Sequence, residues 1–401
     1  MNDSSSRGEH TRAVHTPPPP VPAEQPLVPP VYRAATYAFK TAQDYADVLG
    51  GVQHGYTYSR IDNPTSDAFA AGVAALEGVN LDREVVGQPF ASGMAAISTV
   101  LMTLTGAGTH VIAAQALYGG TYGLLQNVLS RFGISTTFVD TADLDAVRAA
   151  IRPETVVLWA ETLANPTMSV ADLPALAAVA HEAGLTFVVD STFASPAMCR
   201  PLEHGVDVVV HSATKYIGGH SDVTGGVAVG DPEVIARVRR TRSDLGGSLS
   251  PDDAYLLHRG LSTLPLRVAR QCATALTVAQ ALSAHPRVER VDHPGLPGHR
   301  DHDLAVALFD PDRYGAVVSV TPRGDRAEGL AMCDRLGLIL RATSLGGTHS
   351  KVSHVASTTH RQLDDAALAA AGIGPATVRL SIGLEDADDL IADLVQALDA
   401  G

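Results

Sequence analysis

Cysteine is scarce in this chain. Its three copies, Cys199, Cys272 and Cys333, stand far apart and form no CxxC, which argues against a disulfide framework or a structural zinc site. Histidine is plentiful at 16 copies, but none has HExxH spacing, and His349, His354 and His360 cluster only loosely; no metal is expected. No apolar run reaches the ~18 residues that a membrane helix needs. The N-terminus is polar and carries no apolar signal core. Positive charge is in deficit, with 29 Lys and Arg against 43 Asp and Glu and a net charge of −14. That balance disfavours nucleic acid and anionic membrane surfaces as partners. A GxGxxG following a strand is also missing, which removes the main signal for a dinucleotide site. These absences leave a soluble, cytoplasmic enzyme of small molecules as the expectation.

What is present is apolar and periodic. At 401 residues and 45% hydrophobic content the chain can bury a large core and is expected to form two or three domains. Short apolar runs at 110–114, 135–139, 155–160, 185–190 and 206–210 read as buried strands. Helical spacing occupies 66–77, the stretch after Ser92, 122–132, 144–151 and 173–183. This alternation predicts an α/β fold around a mostly parallel sheet. A further strand is expected at 225–230, then a long linking helix from 251 that breaks near Pro265. A smaller α+β portion follows, with strands at 316–321 and 377–382. Residues 1 to about 30, with Pro17 to Pro20, read as a disordered or extended arm. The division expected is an N-terminal arm (1–65), a large domain (66–262) and a small C-terminal domain (263–401).

The chemistry concentrates at two strand ends. The run 206–210 leads into His211-Ser212-Ala213-Thr214-Lys215-Tyr216. A lysine at the mouth of a buried strand is poorly solvated, which lowers its pKa and makes it a better nucleophile; it is equally compatible with a surface lysine closing a strand. Ser212 and Thr214, three and one residues earlier, have hydroxyls able to hold a phosphate. The strand before it ends in Asp190, twenty-five residues upstream, which alone reads as a loop or capping acid. Adjacent strand ends of an open α/β sheet converge on one crevice. Pyridoxal phosphate requires such a pair: a lysine for its aldehyde and an acid to keep its pyridine nitrogen protonated.

Other motifs fall around this pair. Ser92-Gly93-Met94 opens a helix whose free N–H groups suit a phosphate, or simply caps a core helix. Tyr118, before Gly119-Gly120-Thr121, either stacks on a flat ring and shuttles protons or is structural. Arg379 alternates out of an apolar strand, as a surface charge or as a carboxylate clamp.

Together, Asp190-Ser191-Thr192-Phe193 and Ser212-Ala213-Thr214-Lys215-Tyr216 resemble the Cys/Met-metabolism family of pyridoxal-phosphate enzymes. The further motifs Tyr58-Ser59-Arg60…Asn63-Pro64-Thr65, Ser92-Gly93-Met94, Tyr118-Gly119-Gly120-Thr121, Glu161-Thr162…Asn165-Pro166 and Arg379-Leu380-Ser381 follow in the family's order from about Pro30 onward. The resemblance implies an aspartate-aminotransferase-like (fold type I) architecture, with Lys215 as the cofactor lysine and Asp190 as the ring-nitrogen acid. It implies that Tyr118 stacks on the ring and that Ser92, Gly93, Met94, Ser212 and Thr214 cradle the phosphate. Tyr58 and Arg60 are implied to serve a neighbouring subunit's phosphate, within a homotetramer built of dimers with shared sites. Asn165, Ser344, Leu345 and Arg379 are implied to receive the substrate, Arg379 taking its α-carboxylate. Gly120, Thr348-His349 and Ser191 depart from individual members.

The expected reaction is γ-elimination from a sulfur amino acid, of cystathionine or methionine γ-lyase type, giving a thiol, 2-oxobutanoate and ammonia. The alternative is γ-replacement of cystathionine γ-synthase or O-acetylhomoserine sulfhydrylase type, on a homoserine-derived substrate. The stretch 356–360 leans towards methionine γ-lyases and sulfhydrylases, and 344–347 towards cystathionine γ-lyases. A cofactor-free scaffold on the same fold is the non-enzymatic reading, and the co-occurrence of Lys215, Asp190, Tyr118 and Arg379 argues against it.

Overall fold

The computed structural model describes residues 9–14, 24, 26–358, 361, 368 and 372–400. Residues 1–30 and 31–401 form separate units. In the first, Glu9–Val14 is a short helix, so the expected arm is not extended throughout. Pro17 to Pro20 lie outside the described residues.

The second unit is built on two sheets. The larger comprises β1 (Val86–Phe90), β2 (His110–Ala114), β3 (Ser135–Val139), β4 (Thr155–Glu161), β5 (Thr186–Asp190), β6 (Val208–His211) and β7 (Gly226–Gly230). Their order is β1-β7-β6-β5-β4-β2-β3. The run from β3 to β6 is parallel, while β7 is antiparallel to both its neighbours. Parallel strands between helical layers are buried on both faces, which explains their unbroken apolar runs. Along β5, Phe187 and Val189 join the core under the helices Pro64–Glu77, Leu173–Glu182 and Pro251–Leu261. Val188 joins the opposite core, under Gly93–Leu104 and Pro232–Leu245.

The smaller sheet has β8 (Val288–Asp292), β9 (Val317–Pro322), β10 (Leu340–Arg341), β11 (Lys351–His354) and β12 (Val378–Ser381), in the order β10-β11-β12-β9-β8. Val318, Val320, Val352, Val378 and Leu380 pack beneath the helices Leu264–Ser283 and Ala387–Asp399. The break between Pro251–Leu261 and Leu264–Ser283 places Pro265 in the first turn of the second helix, where its missing N–H is tolerated.

Several elements differ from expectation. The helix expected at 122–132 is a short α-helix, Gly119–Gly123, then a π turn, Leu124–Val128, and a 3-10 turn, Leu129–Phe132. These changes of pitch leave Leu124, Leu125 and Leu129 buried. β1 carries Gly87 and Pro89, which mask a strand in sequence; as the sheet's edge it tolerates proline. β11 is not legible in sequence because Lys351-Val352-Ser353-His354 holds a single apolar residue.

Candidate active site

The site forms where β4, β5 and β6 end and the segment 344–347 reaches over them. Strand register sets Glu161 opposite Asp190 and Asp190 opposite Val210. Thr192 ties two of the strand ends together: its N–H donates to Asp190 Oδ1 at 3.0 Å, and its Oγ1 accepts the Ser212 N–H at 2.8 Å. Thr162 donates to Ser191 Oγ at 2.9 Å beneath them, a small buried pair that fits serine at this departure from the family pattern.

The backbone then turns so that Lys215 N–H donates to Ser212 O at 3.1 Å. Thr214 Oγ1 accepts the Gly225 N–H at 3.0 Å. Lys215 Nζ donates to Ser344 Oγ at 2.6 Å. Ser344 has φ of 76°, a left-handed conformation costly for a residue with a Cβ; it aims the hydroxyl at the lysine and the carbonyl at Arg379. The next residues seat on the lysine's own backbone. Gly346 has φ of 74°, and a Cβ there would come within 2.6 Å of Tyr216 N. Leu345 is buried in the large core.

Arg379 is 5% exposed. Its Nη1 donates to Asn165 Oδ1 and its Nη2 to Ser344 O, both at 3.2 Å, while Nε has no partner among the described residues. Among the described residues no carboxylate meets this guanidinium, and burial lowers its pKa. Lys215, Ser344, Arg379 and Asn165 are therefore one connected chain of contacts. Burial, reinforced by the charges of Arg379 and Lys351 and opposed by Asp190, brings the Lys215 ammonium down from 10.5 to about 8.

Two carboxyls lie behind the lysine. Burial pushes both upward. The bonds from Thr192 and the charges of His211 and Lys215 hold Asp190 back. Glu161 is raised further by Asp190 itself and opposed only by the N–H of Tyr118, at 2.6 Å. Asp190 is thus the better placed of the two to stay ionised, and Glu161 fixes the start of the tyrosine loop.

Tyr118 is half exposed. A Cβ at Gly120 would lie 2.4 Å from its ring and 2.8 Å from Met94 Sδ, so glycine permits this ring position. Ser92 caps the helix Gly93–Leu104, its Oγ taking the Ala95 N–H at 3.1 Å. Gly93 abuts Ser212, where a Cβ would come within 2.6 Å of the serine's Cβ. This close approach brings a helix N-terminus, with its unsatisfied N–H groups, onto the Ser212 hydroxyl, two residues from Thr214. Such a cradle fits a phosphate, and a lysine and an acid beside it fit the remaining demands of pyridoxal phosphate.

Tyr58 and Arg60 stand apart from this cluster in their contacts. Arg60 lies over the Tyr58 ring at 5.5 Å and donates to Ser243 O at 2.5 Å. Arg242 holds the same loop by donating to the carbonyls of Arg60 and Ile61. Thr359 and His360, from the stretch 356–360, lie outside the described residues. No metal-binding group of His, Cys, Asp or Glu occurs among the described residues, and none of their helices is long and apolar enough to cross a membrane. The sequence reading assigned no role to Thr192, Glu161, Ser221 or Lys351. Thr192 was legible as a turn residue two beyond an Asp; the other three required the fold.

Comparison with known proteins agrees with this geometry. The family profile "Cys/Met metabolism PLP-dependent enzyme" matches residues 10–399. L-methionine gamma-lyase of Pseudomonas putida is 42% identical over 395 residues, covering 98% of each chain. Cystathionine gamma-synthase of Mycobacterium bovis is 40% identical over 392 residues, covering 98% of this chain and 97% of its own. Among solved structures, a Campylobacter jejuni protein assigned as an O-acetylhomoserine (thiol)-lyase superposes with a TM-score of 0.89 at 34% identity. It covers 93% of this chain and 95% of its own, and carries an N'-pyridoxyl-lysine-5'-monophosphate residue. With motif order, sheet topology and whole-length similarity in accord, the chain belongs to the Cys/Met-metabolism family of pyridoxal-phosphate-dependent enzymes, with their fold type I architecture.

Proposed function

We propose that the enzyme carries out γ-elimination on a sulfur amino acid, in the manner of a methionine or cystathionine γ-lyase, releasing a thiol, 2-oxobutanoate and ammonia. The observation that carries the reading is the contact chain Lys215–Ser344–Arg379–Asn165, which sets a basic amine beside an uncompensated carboxylate receptor. The 42% identity to a methionine γ-lyase over nearly the whole chain accords with elimination, and the 40% identity to a cystathionine γ-synthase keeps replacement as the second reading.

Bound pyridoxal phosphate supplies an aldehyde for amines and a ring that accepts electron density from the substrate α-carbon. Ser92, Gly93, Met94, Ser212 and Thr214 would hold its phosphate, Asp190 its ring nitrogen and Tyr118 its ring face. Arg379 orients the substrate by its α-carboxylate, assisted by Asn165, Ser344 and Leu345. Lys215, brought to about 8, is neutral often enough near neutral pH to take a proton from Cα. Elimination at Cγ needs a second proton removed from Cβ, and the flexible Lys215 amine is the carrier that can move between the two carbons. Tyr118 assists amine exchange and protonates the departing thiolate.

The working assembly in this reading is a homotetramer of dimers in which Tyr58 and Arg60 complete the neighbour's phosphate site. The division into an arm (1–65), a large domain (66–262) and a small domain (263–401), and a cytoplasmic location, belong to the same proposal. The test is product analysis of the purified holoenzyme with methionine, cystathionine and O-acetylhomoserine, with and without added thiol. Release of 2-oxobutanoate and ammonia without thiol is the expected result. A thioether formed only with thiol, and no 2-oxo acid without it, would assign γ-replacement instead, the activity named for the Mycobacterium bovis relative.

A further inference from the structure

The small sheet presents two cations to the site. Val352, Val378 and Leu380 face the sheet's own core. Alternation along the strands therefore turns Lys351 and Ser353 of β11, and Arg379 and Ser381 of β12, to the opposite face. Ser353 pairs with Arg379 and Lys351 with Ser381, so the two cations are diagonal neighbours, with Cα atoms roughly 7–8 Å apart. Ser381 Oγ accepts the Gly346 N–H at 3.3 Å, which fixes the segment that also delivers Ser344 to Lys215.

Lys351 is 9% exposed. Its Nζ donates to Ser221 Oγ at 3.1 Å, on the loop that leaves Lys215 by way of the Gly219 N–H to Lys215 O bond at 2.8 Å. A hydroxyl satisfies one donor but offsets no charge, and among the described residues no carboxylate pairs with this ammonium. Gly347 keeps the space around the pair open: a Cβ there would fall 2.4 Å from Ser221 Oγ and 3.4 Å from Lys351 Nζ. A buried cation without a counter-ion is costly unless a ligand supplies one. Ser221 follows Lys215 on one loop and Gly347 follows Ser344 on the segment that meets it, so the Lys351 ammonium borders both segments that build the lysine's surroundings. One α-carboxylate satisfies Arg379 and leaves Lys351 unmatched.

We infer that Lys351, with Ser221, receives a second anion at the far end of the substrate's γ-substituent. This rests on the γ-elimination reading above and narrows its substrate class: amino acids whose leaving group ends in a carboxylate are preferred over the neutral methylthio group of methionine. Two sources share that chemistry, a half-ester of homoserine and a thioether with a distal carboxylate.

The test begins with binding to the pyridoxal-phosphate-loaded enzyme, read from the cofactor's absorbance. L-2-aminoadipate and L-norleucine have the same six-carbon chain, ending in a carboxylate and a methyl respectively, and neither carries a leaving group. Wild type is expected to bind aminoadipate roughly 10- to 100-fold more tightly than norleucine, the worth of one charge-assisted bond. Lys351→Met should abolish the preference, while Lys351→Arg should retain it. Ser221→Ala should reduce it, and supplies the comparison should Lys351→Met fail to fold. No preference in wild type, or a preference undiminished in Lys351→Met, overturns the inference. Turnover of O-succinyl- against O-acetyl-L-homoserine, and of cystathionine against methionine, then tells half-ester from thioether. If aminoadipate is preferred through Lys351 but no 2-oxo acid forms from any substrate, γ-elimination fails and the distal anion site stands.

Discussion

Replacing Arg379 by glutamine separates a receptor for substrate from a structural ion pair. Among the described residues the guanidinium makes two hydrogen bonds to neutral oxygens, at 3.2 Å each, and leaves Nε unpartnered. A substrate carboxylate would add two charge-assisted bonds of about 1.5–3 kcal/mol each. At about 1.4 kcal/mol per tenfold, Arg379→Gln should lower kcat/KM by roughly 10²–10⁴, with the loss also visible as weaker binding of unreactive amino acids. Stability should move the other way. The substitution forfeits two bonds worth about 1 kcal/mol each but removes an uncompensated buried charge whose desolvation costs several kcal/mol. Without substrate, the variant should therefore melt no lower than wild type. The Lys215 amine should also rise above about 8, because Arg379 is one of the charges holding it down. The assays are steady-state kinetics of 2-oxo acid release and thermal unfolding of the substrate-free holoenzyme. A kcat/KM loss below about tenfold, or a melting temperature several degrees lower, would refute the receptor role.

Four further outcomes are expected. Lys215→Ala should fold yet lose turnover and the absorbance band near ~420 nm that a lysine-bound pyridoxal cofactor gives. In the wild-type apoprotein, cofactor capture should rise with pH with its midpoint near 8 rather than 10.5, because the neutral amine is the reactive form; a midpoint near 10.5 would contradict the depressed value. Asp190→Ala should still bind the cofactor through Lys215 but exchange the substrate α-proton with solvent far more slowly; wild-type exchange would remove Asp190 from the ring-nitrogen role. Finally, Arg60→Ala mixed with Lys215→Ala should regain activity on subunit exchange if sites are shared, and hybrids that form yet stay inactive would deny Arg60 its role in the neighbouring subunit.

The parallel part of the large sheet was legible because its chemistry is local. Buried strands leave continuous apolar runs, and Ser92 announces the helix it caps. The antiparallel direction of β7 is not local: its apolar run predicts a strand but not which way it enters the sheet. β1 hides for a different reason, since Pro89 and Gly87 are tolerated only because the strand is an edge and Gly87 lies against the Ala70 backbone, where a Cβ would come within 2.5 Å. At the site, Lys215, Asp190 and Tyr118 could be placed at strand ends and Ser92 at a helix start, but not the contacts between them. That Lys215 meets Ser344, and that Ser344 also meets Arg379, depends on a left-handed serine 129 residues from the lysine in sequence. No periodicity encodes that pairing.

The charge arrangement follows from which sheet supplies which sign. The large sheet ends in carboxyls, Glu161 and Asp190, on adjacent parallel strands. The small sheet supplies cations, Arg379 and Lys351, on one antiparallel face. Lys215 lies between these groups and feels both, its ammonium favoured by Asp190 and disfavoured by the two small-sheet cations. A change in how the small sheet sits on the large one would therefore alter carboxylate capture and lysine basicity together. An anionic substrate that neutralises Arg379 and Lys351 removes the two charges that lower the lysine's pKa, so its arrival raises the proton affinity of Lys215 at the stage when that amine must accept a proton from Cα. Substrate binding and base strength are thus coupled through the same two side chains, and a ligand reaching both should strengthen the base more than one reaching Arg379 alone.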